Sequence, residues 1–407
     1  MNLDNKLKSV SGAATVEILK SLLDYISDID SVNLIINEKY EVGYPNYNKQ
    51  FKMDFEIIFE DFENEKWLVE ATSSVRSDRV YGVEFFADHI RKIDRDVKEI
   101  FLVTPDTVNK TDIRSLELYS NNIHSNKYKS FLSDVLTIFD FGNRVLYHAT
   151  QKISTSKRSN ILGKFAEEFI VFILNSENNL LLWNDYDNQR KIVKSFTFDK
   201  YKKVLESFGL EFGKDKVYTI FATNKIQKLK NKGYPKTDIL VNIFLSNTQH
   251  IKRKISVKNT DKESVSVHQG SIDDLIYALK CFGYTISGDF DRALHSLQQY
   301  GGIEKLKQYA YGDYKLLSDE LKDYNVELVE FFIFGENSPQ VIQSEQIADS
   351  MLYYKNFQIQ NKEDYIISYL NEFKNSGQYG TPFKWTYQKS SDLGKSVQIK
   401  AFTNNKK

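Results

Sequence analysis

Apolar residues recur along this chain with two spacings, three to four for helices and two for strands, and the switches between them mark its elements. In the first part the pattern predicts a helix near residues 11–27 and strands near 32–38, 53–60 and 66–72. A helix near 83–97 and a strand at Ile100–Val103 follow. The run from Thr150 to Asn160 breaks the pattern, being polar, basic and rich in hydroxyls, and is the best boundary. After it, Asn160 is placed to cap a helix running through Phe169–Leu174. Strands are expected near 216–222, 238–244, 251–258 and 264–267, then a helix over 271–281. The remainder predicts helices near 289–309 and 313–323, an apolar strand at Val326–Phe334 and a final strand near 396–402. Helices alternating with strands make the class α/β, an α+β mixed sheet flanked by helices, in two domains: 1–150 and 155–407.

The 407 residues suffice for substantial cores in two or three domains, and no repeat of 20 to 50 residues or flexible linker tract interrupts them. Charges and amides fill the first residues where a secretory leader carries an apolar core, and Phe169–Leu174 is too short to span a bilayer. A cytoplasmic location without membrane association is expected. The single Cys281 excludes an internal disulfide framework and a cysteine-built zinc cage. The net charge of zero hides an uneven distribution, because residues 151–263 hold 22 Lys and Arg against 12 Asp and Glu. A basic centre suits a polyanion held in a groove. There is no Walker loop, dinucleotide fingerprint or Gly-x-Ser-x-Gly elbow.

The chemistry concentrates between Gly233 and Thr260. Asp238 begins one apolar strand and Lys258 ends the next. If the strands turn about Asn247-Thr248-Gln249 with residue 248 at the midpoint, Asp238 falls opposite Lys258. Ser256 then shares the face of Lys258, while Ile255 and Val257 point away. An acid, a hydroxyl and an ammonium gathered at one sheet edge suit metal-dependent phosphodiester cleavage. A magnesium ion would take oxygens from Asp238, from the Val257 carbonyl and from a glutamate on the preceding helix, Glu167 being favoured over Glu168. Lys258 would orient the attacking water or stabilise charge on the phosphate.

Asp238 with Ser256-Val-Lys258 resembles the PD-(D/E)xK nuclease signature, and the flanking text is similar to the MspI-like type II restriction endonucleases. The carrying residues are Gly233-Tyr-Pro-Lys-Thr-Asp238-Ile-Leu-Val, Ser256-Val-Lys258-Asn-Thr, Val265-Ser-Val-His268-Gln269, Gly380-Thr-Pro-Phe-Lys-Trp-Thr-Tyr387 and Val397-Gln-Ile-Lys400. Together they span roughly residues 155–405. The resemblance implies a PD-(D/E)xK restriction-endonuclease-like core and Mg2+-dependent cleavage of double-stranded DNA at a short sequence, leaving 5′-phosphate ends. It also implies a separately encoded methyltransferase that protects host DNA. Ser256 departs from the general signature, which has an acid there, so Glu167 carries more of the expected metal binding. His268 and Gln269 are candidates for contacts to bases or phosphates, and Lys384 and Lys389 for phosphate contacts. The competing reading is a non-catalytic DNA-binding protein on a nuclease-derived scaffold, against which the retained Asp238 and Lys258 argue.

The N-terminal region repeats the plan in altered form. Glu17 lies on an amphipathic helix, Asp54 begins a strand, and Glu70 and Thr72 end the next, the pair being centred near Phe62. Three carboxylates remain as a possible second site, but Thr72 stands where a lysine belongs, with Arg76 or Arg79 as substitutes. Two uses are open, a module for recognition or dimerisation that has lost catalysis, which the missing lysine favours, or a second cleavage centre. The oligomeric state is left open.

Overall fold

A computed structural model describes residues 3–44, 49–105, 110–125, 129–184, 197–260, 262–300, 302–355, 357–386 and 394–403. The chain divides into two compact units, 1–162 with 177–202 and 163–176 with 203–407. The polar stretch 150–160, expected as the boundary, leads into a helix within which the division falls, and 177–202 returns to the first unit.

In the first unit, α1 (Leu3–Ser27) precedes a meander of β1 (Leu34–Tyr44), β2 (Lys49–Phe59) and β3 (Glu65–Ala71). Helix α2 (Ser77–Ile93) then crosses to β4 (Val97–Thr104), and α3 (Lys110–His124), β5 (Asp134–Thr137) and α4 (Ile138–Ala149) follow. The sheet order is β1-β2-β3-β4-β5, antiparallel up to β3 and parallel from β3 to β5. Val80, Val83, Ala87 and Ile90 are buried on α2 at helical spacing and pack with Met53, Leu68, Ile100 and Leu102. Helices α1 and α4 approach closely at Gly142, where an added Cβ would stand 2.6 Å from Leu22 Cδ2.

The second unit contains most of α5 (Thr155–Leu174); α6 (Glu177–Asn184) belongs to the first unit, and α7 (Phe198–Ser207) crosses the second division. Strands β6 (Val217–Thr223), β7 (Ile239–Leu245) and β8 (His250–Lys258) form an antiparallel meander, and β9 (Ser264–Gly270) follows. Helices α8 (Ile272–Cys281), α9 (Gly288–Tyr300), α10 (Ile303–Tyr309), α11 (Tyr311–Glu320) and α12 (Asn325–Val329) come next, then β10 (Ser350–Tyr353) and β11 (Gln358–Asn361). Helix α13 (Lys362–Phe373), β12 (Phe383–Thr386) and β13 (Val397–Phe402) close the chain. The main sheet runs β11-β10-β8-β7-β6, with β10 parallel to β8, and a second sheet runs β12-β13-β9. Its core joins α8 and α9 to Phe332, Phe334, Tyr369, Phe383 and Trp385.

Two expectations are corrected here. Val326–Phe334, expected as a strand, is helical, α12 continuing as a π-helical turn over Glu330–Phe334 that stops at Gly335 with φ 82°. The polar Glu327 and Glu330 lie three apart, a helical spacing, while the flanking Leu328, Val329, Phe331 and Phe332 are all buried. Val326 is exposed beside them, and the unbroken apolar run Phe331–Phe334, buried throughout, reads equally as a strand or a helix. The hairpin between β7 and β8 also turns one residue earlier than expected. Ile239 pairs with Ile255, so the centre is residue 247. A loop of three residues closes it, with Thr248 in the left-handed region at φ 69° and its N–H donated to the Leu245 carbonyl.

Candidate active site

The early turn changes Asp238's partner without changing its face. The Asp238 N–H continues the β7–β8 ladder to the Ile255 carbonyl at 2.8 Å, which sets Asp238 opposite Ser256 rather than Lys258. Moving the centre by one residue moves each partner by two, and side chains two apart share a face. Asp238, Ser256 and Lys258 therefore still gather. Asp238 Oδ2 accepts the Val257 N–H at 2.6 Å and the Ser256 hydroxyl at 3.2 Å. Lys258 Nζ donates to Ser256 Oγ at 2.9 Å and to the Val257 carbonyl at 3.2 Å, and lies 3.8 Å from Asp238 Oδ2. The Ser256 hydroxyl thus links acid and base while itself nearly inaccessible, at 1 % exposure.

Backbone parity makes one more oxygen available. Residues 255 and 257 of β8 turn their N–H and C=O groups toward β7, whereas the Lys254 and Lys258 carbonyls accept from Asp349 and Tyr354 on the other side. Because β7 begins only at Ile239, Val257 faces no strand partner, and its N–H goes to the Asp238 carboxylate instead.

Glu167 reaches the same place from α5. Burial, and then the Asp238 charge, push its carboxyl up to about 7, and Lys258 pulls the other way. Glu168 turns to Lys164 at 3.6 Å. A carboxyl that keeps its proton up to about 7 beside a second one is short of positive charge, which a divalent cation would supply. Among the described residues no group of three His, Cys, Asp or Glu side chains gathers. An ion here would therefore bind through Asp238, Glu167 and the Val257 carbonyl, with water and phosphate completing its oxygens, as a magnesium-type ion prefers.

The sequence alone assigns no role to one further residue. Lys236 donates to the Val267 carbonyl on β9, tying the approach to β7 to the second sheet. Burial and then Lys258 push its ammonium down to about 7, Asp238 opposing. Its stem crosses Gly335, where a Cβ would stand 2.7 Å from Lys236 Cγ. The available signal was its place two residues before Asp238.

The expected DNA contacts divide. The His268 ring packs 4.8 Å from Phe331 and 5.2 Å from Phe332, and burial holds it well below its ordinary pKa, neutral. With Lys236, Asp274 and Gln340 it lines a cavity of about 700 Å³. Gln269 is exposed and donates to Ser396 Oγ at 3.4 Å. Lys384 is half-buried with Nζ 4.9 Å from the Phe402 ring, and Lys389 lies outside the described residues. Trp385 is core, 3 % exposed.

In the first unit Phe55 pairs with Val69, so Asp54 stands opposite Glu70 about a centre at Phe62. Asp54 Oδ2 accepts the Ala71 N–H at 2.8 Å. Burial, and then Asp54, push Glu70 up to about 8, with Arg79 pulling it down. Glu17 is exposed on α1, and no described interaction joins it to Asp54 or Glu70.

A mixed sheet that brings an aspartate and a Ser-x-Lys run to one edge, beside a glutamate on the preceding helix, is the architecture of a PD-(D/E)xK-type nuclease. The chain belongs to the MspI family of restriction endonucleases, enzymes that cut DNA at a specific sequence: residues 141–401 match the family described as restriction endonuclease MspI. It is 41% identical over 405 residues to the type II restriction enzyme BsuFI of Bacillus subtilis, with 100% of both chains covered. The crystal structure of restriction endonuclease MspI in complex with its cognate DNA matches with 19% identity and a TM-score of 0.48, covering 65% of this chain and 96% of that one. Membership implies a divalent metal cofactor. Among the described residues no helix is long and apolar enough to cross a membrane.

Proposed function

We propose that this chain performs the activity of its family, acting as a type II restriction endonuclease that hydrolyses both strands of duplex DNA with Mg2+, through the site built on Asp238 and Lys258. The carrying observation is the Lys258 ammonium held on Ser256 Oγ and the Val257 carbonyl, 3.8 Å from the Asp238 carboxylate. Asp238, Glu167 and the Val257 carbonyl would hold the ion, which when bound polarises the phosphate and activates water. Lys258 orients the attacking water and neutralises charge gathering on the phosphate oxygens. Ser256 fixes the distance between acid and base. The new O–P bond forms as the bond to the 3′-oxygen breaks, and that oxygen takes a proton, leaving 5′-phosphate and 3′-hydroxyl ends.

Gln269 is the outward member of the His268-Gln269 pair and would meet the DNA, the neutral His268 supporting it from behind; Lys384 and Lys389 would meet phosphates. A separately encoded methyltransferase would protect the host's own sites. Digestion of unmethylated plasmid by wild type and by Lys258→Ala, with and without Mg2+, tests the reading. Discrete fragments from the wild type alone, and only with Mg2+, are expected. Binding without cleavage by both proteins on varied DNA would instead favour a non-catalytic DNA-binding role.

A further inference from the structure

The first unit repeats the plan of the second, strand for strand, through its first four sheet positions. Each has a leading helix, an antiparallel three-stranded meander, and a crossover to a fourth strand parallel to the third: β1-β2-β3-β4 in one, joined by α2, and β6-β7-β8-β10 in the other, where β9 of the second sheet and helices α8 to α12 lie in the longer crossover. The fifth strands differ, β5 being parallel to its neighbour and β11 antiparallel.

The likeness extends to single atoms. Asp54 stands opposite Glu70 and accepts the N–H of the next residue, Ala71, at 2.8 Å; Asp238 stands opposite Ser256 and accepts the N–H of Val257 at 2.6 Å. Parity agrees as well. The Thr72 N–H bonds the Val103 carbonyl on the parallel neighbour, and the Lys258 carbonyl accepts from Tyr354 beyond its own parallel neighbour. Thr72 therefore occupies the place of Lys258, and Glu70 that of Ser256. The pair Ser-x-Lys has become Glu-x-Thr, exchanging one positive charge for one negative.

We infer that the N-terminal unit is a second nuclease core whose carboxylates are Asp54 and Glu70, with Glu17 standing apart, and which is silenced at Thr72, where the ammonium that Lys258 supplies in the other unit is withheld. The inference rests on the proposed role of Lys258. Its latent substrate is the same phosphodiester of DNA, and restoring the cation restores single-strand hydrolysis, water adding to phosphorus as the 3′-oxygen leaves with a proton.

The test places Thr72→Lys in the full chain carrying Lys258→Ala and follows supercoiled plasmid with Mg2+, wild type and Lys258→Ala being run alongside. Open circles should form at least about tenfold above the Lys258→Ala background, one centre cutting one strand. In the same variant the Glu70 carboxyl, followed by carbon NMR, should titrate about one unit or more lower, as an ammonium beside a carboxylate requires. A folded variant that makes no nicks, or leaves Glu70 unmoved, overturns the inference. Thr72 is buried, so the lysine alone can unfold the chain. In that event Glu70→Ser with Thr72→Lys, copying positions 256 and 258, must fold and nick, and its failure overturns the inference equally. If Lys258→Ala cuts like wild type, the assignment of the main centre fails and this inference falls with it. If only the Thr72 variants are silent, the main assignment stands.

Discussion

The Ser256 hydroxyl donates to Asp238 at 3.2 Å and accepts from Lys258 at 2.9 Å, so one small side chain holds the site's acid and base in register. Ser256→Ala deletes both bonds and leaves two charged groups to settle their own separation. Cleavage should fall by at least about tenfold, since even one lost bond to a charged group is worth about 1.5–3 kcal/mol. Single-turnover rates, with DNA affinity measured in Ca2+, would show the loss in the chemical step rather than in binding. An equal loss in both would mean that Ser256 only supports the fold.

With Glu167 as the proposed metal ligand, cleavage should show a pH dependence tied to metal concentration. Its carboxyl sits at about 7 without a cation, and only the ionised form binds one. At low Mg2+ the cleavage rate should rise as pH increases through 7, because deprotonation limits metal binding. At high Mg2+ the ion competes with the proton and the rise moves to lower pH. Glu167→Gln should abolish that shift. Rates over a pH series at two Mg2+ concentrations decide it, a rise fixed in position at both speaking against Glu167 as a ligand.

Glu70 affects stability in the opposite sense to an ordinary paired carboxylate. Its folded value of about 8 exceeds the ordinary 4.5, so between those values the folded chain binds more protons than the unfolded one. Its contribution is complete below 4.5 and is lost as pH rises toward 8. Glu70→Gln should therefore raise the melting temperature most near pH 8 and hardly at all near pH 5. Parallel melting curves for the two proteins across that range would refute the shift.

Lys236 joins the approach to Asp238 with β9 through the Val267 carbonyl. Lys236→Met keeps the stem over Gly335 and removes the ammonium, leaving the Val267 carbonyl without that donor. Discrimination between the target sequence and sites differing by one base pair should weaken by about tenfold, near 1.4 kcal/mol. Comparative digestion of matched and mismatched duplexes measures it, and unchanged discrimination would exclude the coupling.

Gly270 is required by its neighbour. A Cβ there would stand 2.5 Å from His268 Nε2, and the ring has Phe331 and Phe332 against it. Gly270→Ala should cost about 1–3 kcal/mol by overpacking. Adding His268→Ala should return much of that loss in urea unfolding, and a purely additive double variant would place the strain elsewhere.

The sequence reading located Asp238, Ser256 and Lys258 on a shared face because strand parity survives a misplaced turn. It set the turn one residue late because nothing local announced that Thr248, a β-branched residue, would take φ 69°. Val326–Phe334 reads as a strand because its apolar run Phe331–Phe334 is buried without a break and shows no period of its own. The four-residue strands β10 and β11 were missed because so short a run shows hardly one alternation, although β10 is the parallel neighbour that places Lys258. The link through Lys236 joins the segment before β7 to a strand of the other sheet, a relation that spacing along the chain does not encode.

The oxygen that Val257 offers belongs to the main chain, so substituting its side chain does not delete that donor. The side chain of Val257 is buried, so a survey of variants there should find activity kept by apolar residues that suit the packing and lost by polar ones only through the fold. Proline is the informative exception: it keeps the carbonyl but removes the N–H that anchors Asp238, and would separate the two services one peptide unit performs.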